Sequence, residues 1–152
     1  MTQKIYLDVC ALCRPYDDQS YMRINLETIA VQLIFSAIDQ NMYDLVYSPV
    51  HVKEISAISD QVERFELYHL LQETAKFIKV DKTYARKRAE KLVSVGLGVA
   101  DAAHLVFAEA VEADFITCDD KLCEKLCKKF RTLDLAIWAG NPVAFCDKEG
   151  LR

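Results

Sequence analysis

Glycine and proline are scarce in this 152-residue chain, at four and three residues. That scarcity excludes a collagen-like, Pro/Gly-rich or low-complexity chain. Apolar residues make up 52% of the sequence, which is ample for a core. No apolar run reaches the roughly 18 residues of a membrane span, so no membrane association is expected. Positive charge is not in excess either: 19 Lys and Arg stand against 23 Asp and Glu, a net charge of −4. Such a chain has no general field with which to coat a polyanion. A nucleic-acid enzyme remains open, because a metal ion can supply positive charge locally. Six cysteines are too few for a disulfide scaffold. The opening stretch from Met1 to Asp8 carries no apolar signal-peptide core. Both features predict free thiols in a cytoplasmic protein.

No internal repeat, Ser/Gly linker or long run of like charge divides the sequence, which predicts one domain over 1–152. Residues 4–9 are a short apolar run that fits a buried strand. Leu26, Ile29, Ala30, Leu33 and Ala37 recur at helical spacing and predict a helix over about 21–41. A second strand is expected at 44–47. Ser48-Pro49 then reads as N-cap and first helical residue of a helix carrying Glu54. Asp60 and Asp81 read as caps of helices over 61–74 and 82–95, with a third strand at 76–80 between them. Gly96 and Gly98 precede a helical stretch over 99–112, and residues 114–117 form a fourth strand. Leu122, Leu126 and Phe130 line one face of a helix at 120–130, and 135–138 reads as a fifth strand. Strands that alternate with helices predict an α/β fold. The expected form is a three-layer α/β/α sandwich around a mostly parallel sheet of about five strands.

In such sheets the site lies beyond the carboxyl ends of the strands. Acids gather at those positions. Asp8 closes the first strand, Glu54 follows the second, Asp101 opens the helix before the fourth, and Asp119 and Asp120 follow the fourth. Carboxylates brought together without Lys or Arg repel, and a hard divalent cation relieves that repulsion. Oxygen donors without paired His or thiolates favour Mg²⁺ or Mn²⁺ over Zn²⁺. Plainer roles stand beside this one. Asp119 and Asp120 suit helix caps, Asp101 suits a first-turn partner of the helix dipole, and Glu54 suits a solvated helix face. Asp8 is the sharpest signal, since an acid directly after Ile5-Tyr6-Leu7 needs a partner if buried.

Five segments in order resemble the PIN domains, a family of small metal-dependent nucleases. They are the strand and acid from Ile5 to Leu12, Ser48 to Ile55 ending in Glu-Ile, and Gly98 to His104 opening on Asp101. Phe115 to Leu122 with Thr117-Cys118-Asp119, and the ending Asn141 to Phe145, complete the set. The resemblance covers nearly the whole chain. It implies that Asp8, Glu54, Asp101 and Asp119 bind Mg²⁺ or Mn²⁺, with Asp120 either an extra ligand or a group behind the ligands. Thr117 resembles the hydroxyl residue that orients the site. The position two after the first acid is often Asn or Ser in the family; here it is Cys10, a poorer hydrogen-bonding group. The implied activity is endonucleolytic hydrolysis of RNA. Many small bacterial members are toxins neutralised by an antitoxin, and homodimers are common; Phe35 and Ile38 are apolar residues available to such a dimer. The rival function is a PIN-like module that has lost catalysis and binds protein. A phosphotransfer enzyme built on Asp8 would want a second acid where Cys10 stands.

Around that constellation, residues 14–20 read as a surface loop whose Arg14 either touches substrate or is solvated. His104, one turn after Asp101, is placed to bond a carboxylate from behind. Cys123 and Cys127, four apart on a helix, are expected to face the interior and bind no metal. Lysines and arginines at 82–91 and 121–131 read as solvated faces, some near enough to the acidic edge to meet a phosphate backbone.

Overall fold

A computed structural model describes residues 2–152, except for the side chain of Phe130, which lies outside the described atoms. Strand β1 (Gln3–Leu7) is the centre of the sheet. Ile5, Tyr6 and Leu7 are fully buried because both faces of β1 are covered. Alternation along the strand sends Ile5 and Leu7 into one apolar cluster and Tyr6 into the other. Strand β2 (Tyr43–Tyr47) pairs with β1 in parallel, Gln3 opposite Tyr43. Strands β3 (Lys76–Phe77), β4 (Asp114–Ile116) and β5 (Ala139–Gly140) complete an all-parallel sheet of order β3-β2-β1-β4-β5.

One face of the sheet carries α1 (Val9–Cys13), α2 (Met22–Asp39), α3 (Pro49–Ser56), α4 (Gln61–Thr74) and α9 (Pro142–Glu149). The other carries α5 (Lys82–Ser94), α6 (Val99–Ala110) and α7 (Asp120–Lys128), followed by the single turn α8 (Phe130–Leu133). This is the expected three-layer sandwich.

The differences from the sequence-based expectations are local. The first strand stops at Leu7, because Asp8 caps α1 and Val9 is already helical. Residues 14–16 form a 3₁₀ turn instead of open loop. The buried face of α2 is Ala30, Val31, Ile34, Ala37 and Ile38, and Leu26 and Ile29 are exposed. Ile38 is therefore a core residue, not one available to a dimer, and Phe35 is half-buried and packs against the same core. The third strand shrinks to two residues. The helix expected over 120–130 ends at Lys128. The fifth strand comes later than 135–138, because Asp134 takes a left-handed turn (φ 49°) and Leu135 and Ile137 then pack on the second cluster. Gly140 in β5 is required: a Cβ there would come within 2.7 Å of the Trp138 ring.

Candidate functional site

The chain moves outward from β1 to β2 and β3, then returns to the other side of β1 with β4. A crevice opens at the carboxyl ends of the strands where such a reversal occurs. Asp8 follows β1 there, and Thr117, Cys118 and Asp119 follow β4. The Asp8 N–H donates to the Ile116 carbonyl at 3.1 Å, which ties the two strand ends together. The cleft, of about 290 Å³, is lined by Asp8, Val9, Cys10, Glu54, Asp101, His104 and Asp119. The structure thus brings Asp8, Glu54, Asp101 and Asp119 to one cleft.

Local chemistry fixes each acid. Asp8 is buried at 5% exposure, and its Oδ1 accepts the Ala11 N–H at 3.1 Å as the N-cap of α1. The same oxygen accepts the Cys10 thiol at 2.9 Å. Burial lifts the Asp8 carboxyl above the usual carboxylate range, against the bonds from Cys10, Thr117 and Ala11. Asp119 caps α7 by accepting the Leu122 N–H at 3.1 Å, and its own N–H donates to Thr117 Oγ1 at 3.1 Å. Thr117 is fully buried and also lies 3.4 Å from Cys10 Sγ. Asp101 sits in the first turn of α6, where the helix dipole favours an acid. Burial and the neighbouring Asp119 raise its carboxyl, and His104 and Lys125 act in the other direction.

Glu54 is held by a buried relay. Ser48 opens α3 with its side chain accepting the Val50 N–H, and its backbone N–H donates to His51 Nδ1 at 3.0 Å. His51 therefore carries its proton on Nε2, which donates to the Leu7 carbonyl at 2.6 Å. Burial, aided by His104, lowers His51 to about 3, so its ring is neutral. The Tyr6 hydroxyl lies 2.7 Å from Ser48 Oγ and 2.5 Å from His104 Nδ1. Burial holds Tyr6 far above its ordinary value, so it stays protonated and donates. With Nδ1 accepting from Tyr6, His104 Nε2 carries the proton that meets Glu54 Oε1.

The donor set is mainly hard oxygen, which suits Mg²⁺ or Mn²⁺. Two of its carboxyls are raised by burial and crowding, a charge imbalance that a cation relieves. Among the described residues no three ligating side chains stand close enough to form a finished cage. The acids line one cleft, and the chemistry of their donor atoms fits such a cation.

Several residues singled out in the sequence lie elsewhere. Asp120 is exposed and paired with Arg23, away from the cleft lining. Arg14 is neither at the cleft nor solvated: it bonds Asp17 at 2.9 Å, the buried Glu27 at 3.1 Å and the Cys118 carbonyl at 3.5 Å. Cys127 is exposed and Cys123 half-buried, both along an apolar groove with Trp138; the fully buried thiols are Cys118 and Cys146. Glu27 and Tyr6 were not anticipated from the sequence. Glu27 had a signal, because it shares the α2 face of Ala30, Val31 and Ile34, where an acid is out of place. Tyr6 had none, since a strand tyrosine reads as packing.

The sequence matches no family model and no curated protein. Solved structures do match. FitAcB from Neisseria gonorrhoeae is 15% identical with a TM-score of 0.52, the match covering 91% of this chain and 97% of that one. The fold is that of a PIN domain. FitAB bound to an IR36 DNA fragment is also 15% identical, at TM-score 0.50 over 91% of this chain and 95% of that one. PAE2754 from Pyrobaculum aerophilum is 14% identical at TM-score 0.48, over 88% of this chain and 98% of its own. At these identities the likeness is one of fold. Among the described residues of this PIN-like chain, no helix is long and apolar enough to cross a membrane.

Proposed function

We propose that this chain is a Mg²⁺- or Mn²⁺-dependent endoribonuclease acting through Asp8, Glu54, Asp101 and Asp119. The observation that carries the proposal is the placement of these four acids, up to 111 positions apart, on one cleft at the β1/β4 reversal. A divalent cation bound there supplies neutralisation of phosphate charge and a water of lowered pKa. The chain's own residues do the rest. Asp8 and Asp119 are fixed by the helices they cap. Cys10 and Thr117 hold Asp8 and the Asp119 loop in register. Tyr6 and His104 orient Glu54, and Asp101 closes the remaining side from α6.

The proposal includes a protein partner, an antitoxin or a second copy of the chain. Met22, Leu26 and Ile29 support this: they form an exposed stripe on α2, at 79%, 51% and 46% exposure. Four-residue and three-residue steps place them on one helix face. The FitAB structure with a DNA fragment is a precedent for an assembly of this fold on nucleic acid.

The test is cleavage of a labelled single-stranded RNA by purified protein with Mn²⁺, with chelator, and with Asp119→Asn. The substitution keeps a capping oxygen for α7. Cleavage that needs Mn²⁺ and falls at least about a hundredfold in Asp119→Asn supports the proposal. Equal cleavage with chelator overturns it.

A further inference from the structure

We propose that the apolar groove on the β3 side of the acidic cleft binds bases of single-stranded RNA, while Lys79 and Lys82 on its rim meet the phosphates. The inference rests on the nuclease reading and names the part of the molecule that would hold the strand next to the cleft.

The groove, of about 470 Å³, runs between the end of β3, the start of α5 and the middle of α6. Phe77, Ile78 and Phe107 form its walls. Phe77 is 46% exposed although it lies in the sheet, because β3 is an edge strand. Its ring is braced edge-on by Tyr47, with centroids 5.2 Å apart, so it offers a fixed aromatic face. Among the described residues, the charged ones on the lining are Lys79 and Lys82. Both are exposed, and neither makes an ion pair among the described residues. Lys87 extends positive charge along the next turn of α5, where Arg86 pairs with Glu90 at 3.2 Å.

Two elements join the groove to the cleft. Helix α6 places Asp101 and His104 in the cleft and Phe107 in the groove. The axial step from His104 to Phe107 is about 4.5 Å at 1.5 Å per residue. Helix α3 places Pro49 in the groove and Glu54 in the cleft. The chain is acidic overall and the cleft is lined by carboxylates, so an unpaired lysine rim around an aromatic wall is local charge complementarity to a polyanion. Single strands are held by this pairing of cations for the backbone with aromatic faces for bases.

The experiment is an anisotropy titration of fluorescein-labelled oligouridylate in chelator, so that binding is read without cleavage. Phe77→Ala is expected to weaken binding about fivefold or more, as expected when one base no longer stacks. Phe77→Tyr keeps the aromatic face and should bind as wild type. Lys79→Ala with Lys82→Ala should lower the slope of log affinity against log salt by about 1.4, or 0.7 for each phosphate no longer neutralised. A folding defect would not change that slope in this way. Wild-type affinity and slope in both variants overturn the groove, as does binding of an uncharged apolar peptide in place of the oligonucleotide. The underlying reading fails separately. If the groove variants bind normally while Asp119→Asn abolishes cleavage, the groove is wrong and the nuclease stands. If oligouridylate binds through Phe77 and the lysines but no Mn²⁺-dependent cleavage occurs, the groove stands and the nuclease falls.

Discussion

His104 joins the outside of the cleft to the middle of the sheet: one ring nitrogen meets the Glu54 carboxylate and the other the Tyr6 hydroxyl, 2.5 Å away. Tyr6→Phe keeps the ring and removes the hydroxyl, leaving His104 Nδ1 without its donor in a buried site. The expected loss is about 1–3 kcal/mol, the cost of one unsatisfied buried polar group. Urea unfolding should show a lower midpoint at unchanged slope. Because Tyr6 and Ser48 share a bond, the double variant Tyr6→Phe/Ser48→Ala should lose less than the two single losses added. Strict additivity would show that the two hydroxyls are not coupled.

His51 sets the sign of one pH effect. Its folded value, about 3, lies below the ordinary value of 6.5. Above pH 6.5 both states are neutral and the ring costs nothing. Between 6.5 and 3 the unfolded chain takes a proton that the fold refuses, so stability falls with falling pH, by at most about 1.4 kcal/mol per pH unit. Asp8 and Asp101 act oppositely. Their raised carboxyls cost the fold when ionised, and stability returns as pH drops through their raised values toward 3.8. In chelator, His51→Gln should therefore lose less stability than wild type between pH 6.5 and about 5. Parallel profiles from urea melts would contradict this assignment.

Arg14 is the nearer of two counter-charges to a buried acid, with Arg23 at 4.0 Å as the other. Glu27 is buried at 3% side-chain exposure, Oε1 lies 3.1 Å from Arg14, and Oε2 has no partner among the described residues. Arg14→Ala leaves that buried charge only the more distant, largely exposed Arg23 and should cost about 3 kcal/mol. Arg14→Ala/Glu27→Leu should recover most of the loss, since Leu fits the apolar face of α2. A double variant as unstable as the single one would mean that Arg14 acts through Asp17 or the Cys118 carbonyl instead.

How much of this was legible in the sequence follows from the range of each interaction. Caps are local, so Ser48, Asp60, Asp81 and the helix starts they dictate could be read directly. The four acids could be placed at one sheet edge because parallel topology puts every strand's carboxyl end there. The two-residue strands β3 and β5 were not legible in extent, since their limits depend on where neighbouring strands offer partners. The face of α2 was misplaced by Leu26 and Ile29, which match a helical stripe but lie on the exposed side. Tyr6 and His104 are 98 positions apart, and Asp120 and Arg23 are 97 apart. No local pattern announces either pair.

Asp101→Asn separates fold from metal. Asp101 is raised by burial and by Asp119, so removing its charge relieves repulsion. In chelator the variant should melt at the wild-type temperature or slightly above it. In Mn²⁺ the order should reverse, because an ion stabilises the form that binds it by RT ln(1 + [M]/Kd). Paired thermal melts check both. A variant strongly destabilised in chelator, beside a wild type indifferent to Mn²⁺, would make Asp101 a structural residue of α6.

Cys10 occupies the position where a hydroxyl or amide is usual in the resembled family, and here its thiol donates to Asp8 at 2.9 Å. That bond is among those that hold the Asp8 carboxyl down against burial. Cys10→Ala removes it, so Asp8 should rise further and be harder to ionise. Cation binding requires the ionised form, and the loss should grow as pH falls. Cys10→Ser restores a donor of the same reach and a stronger one. Titration calorimetry with Mn²⁺ at about pH 6 should show Cys10→Ala weaker by about tenfold, the scale of a missing partner behind a ligand. Cys10→Ser should match or exceed wild type, and at about pH 8, where the carboxyl ionises more readily, the gap between Ala and wild type should narrow. Equal affinities for all three proteins at both pH values would remove Cys10 from the site and leave it as packing beside Thr117.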